Sequence, residues 1–207
     1  MKNLIIIGIG NFSKIVEEYA RKSTAYNKEW VIKGYLKSEF DKLNDTPTLA
    51  STVEEYVIET EDVFICSYVN GQEREIVTQK IEAKGGHFIN IIHPLANICS
   101  SVKLGKGNIV GAFTTLSVNT TIGNHTIVQD HCNVGHDSVI GNYSHLYVGT
   151  LVSGKNSIGN GVSVFTGSVI YPGLQIGNKA TVGAGSVVMR KVKDNSTVLG
   201  NPAKTMD

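Results

Sequence analysis

From Ile98 to Val188 every sixth residue is aliphatic: Ile98, Leu104, Val110, Leu116, Ile122, Val128, Val134, Ile140, Leu146, Val152, Ile158, Val164, Ile170, Ile176, Val182 and Val188. The register never slips over these sixteen positions. A helix would repeat apolar residues at i, i+3, i+4 and i+7, and an amphipathic strand at every second residue. A strict period of six fits neither and is the hexapeptide signature of a parallel β-helix. A longer period lies above it: Leu104-Gly105, Ile122-Gly123, Ile140-Gly141, Ile158-Gly159 and Ile176-Gly177 recur every 18 residues. One coil then has three six-residue sides, and the span makes about five coils. Coils stacked about 4.8 Å apart turn each aliphatic column into a continuous core.

Four residues after a ladder position the side chain is usually small, as at Thr114, Thr120, Thr126, Cys132, Ser138, Ser144, Thr150, Ser168, Ala180 and Ser186. Such a residue fits near a corner of the prism, and glycine or asparagine suits the turns that need positive φ.

The repeat takes about half of the 207 residues, so a second, smaller domain is expected before it. A net charge of +1 gives no electrostatic case for nucleic acid or an anionic membrane. Cys66, Cys99 and Cys132 are odd in number and not motif-spaced, which suits a reducing cytoplasm and gives no disulfide framework. The apolar run Leu4–Ile9 is too short to span a membrane. The chain reads as cytoplasmic, without membrane insertion.

Residues 1–92 read as an α/β domain and 93–207 as the β-helix with its tail. Leu4–Ile7 is a continuous apolar run, as in a strand buried on both faces. Gly8-Ile9-Gly10-Asn11-Phe12-Ser13 turns the chain into a helix with Ile15, Val16, Tyr19 and Ala20 at helical spacing. The amides of such a turn can hold an anion, or the glycines can serve only a tight turn. Val31–Leu36 reads as a second strand and Ser51–Tyr56 as a short helix with Ser51 as its cap. Asp62–Tyr68 reads as a third strand, Gly71–Lys84 as a helix and His87–Ile92 as a fourth strand. This is a Rossmann-like βαβ unit whose strand ends face one crevice. The tail Gly200-Asn201-Pro202-Ala203-Lys204 is placed to close the open end of the β-helix.

Four of the six histidines fall within 21 residues: His125, His131, His136 and His145. His125 and His131 read as solvated turn residues. His136 and His145 lie outside the inward column. A carboxylate beside an imidazole can hold its tautomer and raise its basicity. Adjacent strand residues face opposite ways, so His136-Asp137 works as a pair only at a bent corner. These residues alone leave a functional pair and two ordinary turn residues both open.

The whole chain resembles the bacterial sugar acyltransferases of the sialic-acid O-acetyltransferase and bacillosamine N-acetyltransferase family. The likeness rests on the first strand with Gly8-Ile9-Gly10, on His136-Asp137-Ser138-Val139-Ile140-Gly141, on Ser144-His145 nine residues after the first histidine, and on the terminal Gly200-Asn201-Pro202-Ala203-Lys204. It implies a nucleotide-sugar-binding α/β domain joined to a left-handed β-helix, homotrimers, and acetyl-CoA bound between neighbouring β-helices without a metal. It further implies His136 as general base, Asp137 as its acidic partner, His145 beside the acetyl-CoA, and the Gly154 amide facing the thioester. Thr166 and Gly183-Ala184-Gly185 match main-chain contacts to the pantetheine arm. The substrate side would draw on Gly8, Gly10, Asn11, Phe12, Ser13, Lys37, Tyr68 and Asn70. Here the chain departs from the family: Asn11, Phe12 and Ser13 replace its usual Gly-His-Gly, Lys37-Ser38 stand where uridine binders carry an Asp-Asp pair, and Val69-Asn70 replaces Gly-Asn. The nucleotide is therefore open between UDP, dTDP and others.

N-acetylation of a nucleotide-linked amino sugar for surface glycans is the reading favoured, with O-acetylation of a sialic-acid-type sugar as the alternative. Two further classes share parts of this pattern. A γ-class carbonic anhydrase would place zinc on histidines five residues apart, the spacing of His131 and His136. Zinc needs a third protein ligand, yet two coils earlier stand Leu95 and Ser100. A non-catalytic scaffold would use the prism alone.

Overall fold

The computed structural model describes residues 1–41, 49 and 51–206. The chain divides into two compact units, Met1–Pro94 and Leu95–Asp207.

The first unit is built on β1 (Lys2–Ile7), α1 (Asn11–Lys22), β2 (Trp30–Leu36), β3 (Asp62–Cys66), α2 (Gly71–Ala83) and β4 (His87–Phe88). The strands form one parallel sheet in the order β2-β1-β3-β4. β1 is central, so Leu4, Ile5, Ile6 and Ile7 are wholly buried, as their unbroken apolar run requires. The chain leaves β1 through Gly8 at φ +100°, where a Cβ would lie 2.7 Å from Ser67 Oγ. Only glycine suits both the backbone angle and the close approach. α2 is capped by Asn70, whose Oδ1 accepts from Gln72 N at 2.9 Å and Glu73 N at 3.2 Å. Arg74 is wholly buried and donates to the carbonyls of Tyr68 and Val69 at 2.5 and 3.1 Å, pinning the β3–α2 turn.

Two elements differ from the sequence reading. Residues 51–56 form a single turn, not a helix. Thr52 bridges to Lys37, and Thr52 rather than Ser51 does the capping: its Oγ1 accepts from Glu55 N at 3.2 Å and its carbonyl from Tyr56 N at 2.9 Å. One turn fixes several dihedrals for a single bond and does not propagate without further packing. The run 87–92 is also broken: only His87–Phe88 continues the sheet, and Ile91–Ile92 is a separate short strand.

The second unit is the three-sided prism that the ladder predicts. Sixteen two-residue rungs, from Asn97–Ile98 to Val187–Val188, each end on a ladder residue. Rungs one coil apart pair in parallel, Ile122 with Ile140, Val128 with Leu146 and Val134 with Val152. Face 1 starts at Asn97–Ile98, face 2 at Lys103–Leu104 and face 3 at Ile109–Val110. From Val110 to Val188 every ladder side chain is at most 2% exposed. Burial of this kind contributes about 1.5–3 kcal/mol per side chain. The architecture is a three-sided parallel β-helix.

Polar ladders hold the corners. Thr114, Thr126, Ser144 and Ser168 each donate a hydroxyl to a corner carbonyl of the next coil, at 2.6 to 2.8 Å. Between faces 2 and 3, the Asn142, Asn160 and Asn178 side chains accept from the amides of Asn124, Asn142 and Asn160 at 2.7, 2.8 and 2.9 Å. At the far end Thr197–Gly200 adds to the Thr181–Val182 rung and folds back as Ala203–Thr205. Among the described residues no helix is long and apolar enough to cross a membrane.

Candidate active site

His136 and Asp137 occupy the corner between faces 1 and 2. Asp137 adopts φ +57°, and this bend brings two sequence neighbours to the same side. His136 Nδ1 lies 2.8 Å from Asp137 Oδ2, and Asn119 Nδ2 donates to Asp137 Oδ1 at 3.0 Å. The bonds from His136 and Asn119, followed by the charge of Lys155, hold the Asp137 carboxyl below the usual carboxylate range. An ionised carboxylate can only accept, so Nδ1 carries the hydrogen, and in the neutral ring Nε2 keeps its lone pair. Both side chains are about half exposed, at 52% and 44%.

Gly154 lies one coil further on. A Cβ there would fall 2.6 Å from His136 Nε2, so the absent side chain is what admits the imidazole. Among the described residues the Gly154 amide makes no hydrogen bond. A Cβ on Gly135 would lie 2.5 Å from that amide nitrogen, so a second glycine keeps its surroundings clear. A proton acceptor and a backbone donor thus share one open corner.

The other histidines occupy different settings. His145 lies on a face, not at a corner. It starts a face 3 rung, paired with Ile127 and Ser163, and is 1% exposed because Tyr147 stacks on it at 3.7 Å, with Phe165 on Tyr147 at 4.6 Å. His125 is buried rather than solvated: it stacks on Tyr143 at 5.4 Å in the space that Gly107 leaves. His131 is exposed and stacks on Phe113 at 5.0 Å, at the corner between faces 3 and 1. His131 and His136 therefore stand on different corners. Among the described residues no three His, Cys, Asp or Glu side chains form a group that could hold a metal.

Thr166 and Gly183-Ala184-Gly185 lie on consecutive coils of the corner between faces 3 and 1, where Gly185 N donates to Thr166 O at 2.9 Å. They share neither corner nor coil with His136. One chain by itself does not bring these residues to the histidine.

A cavity of about 480 Å³ opens at the end of the parallel sheet in the first unit. Gly8, Gly10, Asn11, Phe12 and Tyr68 line it. The other three residues read as substrate contacts do not. Ser13 is buried and donates to Gly10 O at 2.5 Å, Lys37 pairs with Thr52, and Asn70 is spent capping α2. Phe40, Asp41, Ser67, Val69 and Glu73 join the lining without having been foreseen. Asp41 organises one side: it accepts from Ile9 N at 3.1 Å, from Ser38 N at 2.9 Å and from the Tyr68 hydroxyl. Burial and the Asp41 carboxylate push the Tyr68 phenol well above its ordinary value, so it stays a donor.

No protein-family model and no curated protein sequence matches the chain. Solved structures do. The structure neighbours are hexapeptide-repeat acyltransferases. More narrowly, those neighbours are sugar-modifying acyltransferases. It is similar to the acetyltransferase domain of PglB from Neisseria gonorrhoeae FA1090, at 27% identity and TM-score 0.89 over 100% of both chains. PerB from Caulobacter crescentus, solved with CoA and GDP-perosamine, matches at 26% identity and TM-score 0.87 over 100% of this chain and 98% of that one. WeeI from Acinetobacter baumannii AYE matches at 25% identity and TM-score 0.85 over 100% of both.

Proposed function

We propose that the protein transfers the acetyl group of acetyl-CoA to the amino group of a nucleotide-linked amino sugar, with His136 as general base. The observation that carries this is the His136 imidazole: Nδ1 is held by Asp137 at 2.8 Å and Nε2 stands open above the bare Gly154 backbone. Acetyl-CoA supplies an already activated acyl group, so no covalent enzyme intermediate is needed. Nε2 takes the proton that the attacking amine must lose, a contribution of about 10²–10⁴-fold. The Gly154 amide donates to the oxygen that gains charge. Asp137 keeps the ring in its receptive tautomer and balances the imidazolium as it forms. The imidazolium can return its proton to the departing thiolate.

Small residues at Thr166 and Gly183-Ala184-Gly185 leave backbone accessible for an extended arm. They reach His136 only from a neighbouring copy, which favours a homotrimer with sites between subunits. Val118, Val139, Leu151 and Tyr171, each at least 44% exposed, flank the His136 corner as a surface for that neighbour. His145 enters this scheme through the Tyr147 ring that covers it. The first unit, read as Rossmann-like from its parallel sheet and glycine turn, takes the nucleotide sugar in its cavity, where Phe12 and Phe40 offer faces to a base. A substrate of this kind places the protein in the cytoplasm.

The test is acetyl transfer from acetyl-CoA to a panel of GDP-, UDP- and dTDP-linked amino sugars, with hydroxyl-only sugars as controls. A GDP-linked amino sugar leads the panel because the Caulobacter neighbour is solved with GDP-perosamine. Turnover with one amino sugar, lowered at least about 10²-fold in His136→Ala, is the expected result. Acetylation of the hydroxyl controls alone, or wild-type turnover in a folded His136→Ala, would overturn the reading.

A further inference from the structure

Asp137 is half exposed, and nothing about its own backbone obliges the carboxylate to face His136 rather than water. Among the described residues two side chains bond to it. One is His136 itself. The other is Asn119, one coil earlier at the same corner, whose Nδ2 donates to Oδ1 at 3.0 Å. With Oδ1 tied to Asn119, Oδ2 is turned to His136 Nδ1. Asn119 is itself fixed: it sits at φ +57°, and its amide donates to Ser101 Oγ at 2.9 Å. Its use also differs from that of the other corner asparagines. Asn124, Asn142, Asn160 and Asn178 use their side-chain oxygens to accept backbone amides and hold neighbouring coils together. Among the described residues the Asn119 side chain instead bonds only a carboxylate, whereas Asn178 adds to its backbone bond a long one of 3.5 Å to Asp194 Oδ2. Lys155, one coil beyond Asp137, adds charge from the other side without a hydrogen bond to it.

We infer that Asn119 is a positioning residue for acyl transfer, acting on His136 through Asp137. The inference rests on the reading of His136 as base. Without the Asn119 amide the carboxylate can rotate into solvent. The imidazole then loses the acceptor that keeps its hydrogen on Nδ1, and a fraction of molecules carries it on Nε2, where no proton can be accepted.

Asn119→Gly is the variant of choice, because glycine adopts φ +57° without strain and the change removes only the side chain. The expected result is a kcat about 10-fold lower, with KM for acetyl-CoA and for the sugar unchanged. In an Asp137→Gly background the same substitution costs nothing further, since a residue that acts through Asp137 has nothing left to act on. Undiminished kcat in Asn119→Gly, or losses that multiply in the double variant, would overturn the inference. Nitrogen NMR of histidine-labelled protein reads the same arrangement with no substrate present. The His136 ring should be Nδ1-protonated in the wild type and a mixture of tautomers in Asn119→Gly. If no sugar of the panel is acetylated by the wild type, the proposed function falls. The tautomer measurement then still decides Asn119, and an unchanged ring in Asn119→Gly would refute its role.

Discussion

A side chain at position 154 has nowhere to go except into the imidazole of His136. An alanine Cβ would lie 2.6 Å from Nε2 and 2.8 Å from Cδ2. Contacts that short force one partner to move, and the partner here is the far end of a half-exposed side chain rather than packed backbone. The fold should therefore survive Gly154→Ala while the base is displaced. A misplacement of about 1 Å in a reacting group can cost about 10²-fold. Gly154→Ala should thus lose about two orders of magnitude in kcat, with a melting temperature close to wild type. Normal turnover in this variant would show that Nε2 does not work where it stands. Gly107 makes a useful contrast. It admits the His125 ring in the same way, but that ring is buried against Tyr143 and faces no open corner, so its role is packing.

The rungs carry the stability, and their two kinds of ladder should respond differently. Ile140 is wholly buried among ladder neighbours, so Ile140→Ala should cost about 2–5 kcal/mol through lost burial and a cavity. Ser144 donates to Gly159 O at 2.8 Å and accepts from Val162 N at 3.1 Å. Ser144→Ala leaves a buried amide without its acceptor and should cost about 1–3 kcal/mol. Chemical denaturation of the two variants checks both values, and equal losses would mean that the corner bonds rival the core. The aliphatic ladder was legible because a period of six leaves no other architecture. The small residues beside it were legible only as small. Their hydroxyl partners lie 15 residues away on the next coil, a relation visible only once the coils stack. The same limit governs the site. His136-Asp137 could be read from adjacency, but Asn119 bonds across 18 residues and gives no local signal. In the first unit Gly8, Gly10, Asn11 and Phe12 of the glycine turn lie along the cavity. Phe40 and Asp41 come from the stretch after β2, which carries no motif, while Asn70 looked available and is used up as a helix cap. The short helix read over 51–56 failed because its capping pattern was followed by too few residues to propagate.

At the scale of the molecule the question is why a catalytic corner should lie open on a prism. His136 and Gly154 stand at the corner between faces 1 and 2, whereas Thr166 and Ala184 stand between faces 3 and 1. A prism cannot bring two of its own corners together, but a ring of prisms can set one corner of each against another corner of the next. If sites form in this way, two variants that are each inactive should complement one another. His136→Ala removes the base from one corner. Ala184→Tyr fills the other, at an exposed position where the larger side chain need not disturb the core. Co-expressed with different tags and purified for both, the two chains form mixed rings. In a trimer that holds both chains, one junction in three, or about a third, joins an intact histidine corner to an intact Ala184 corner. The mixed assembly should therefore recover about a third of wild-type turnover, while each variant alone stays near background. The sizes of the mixed and parent species, measured by light scattering, must agree for the comparison to hold. Mixed rings no more active than their parents would mean that each chain builds its site alone, and that the apolar residues around His136 serve some purpose other than receiving a neighbour.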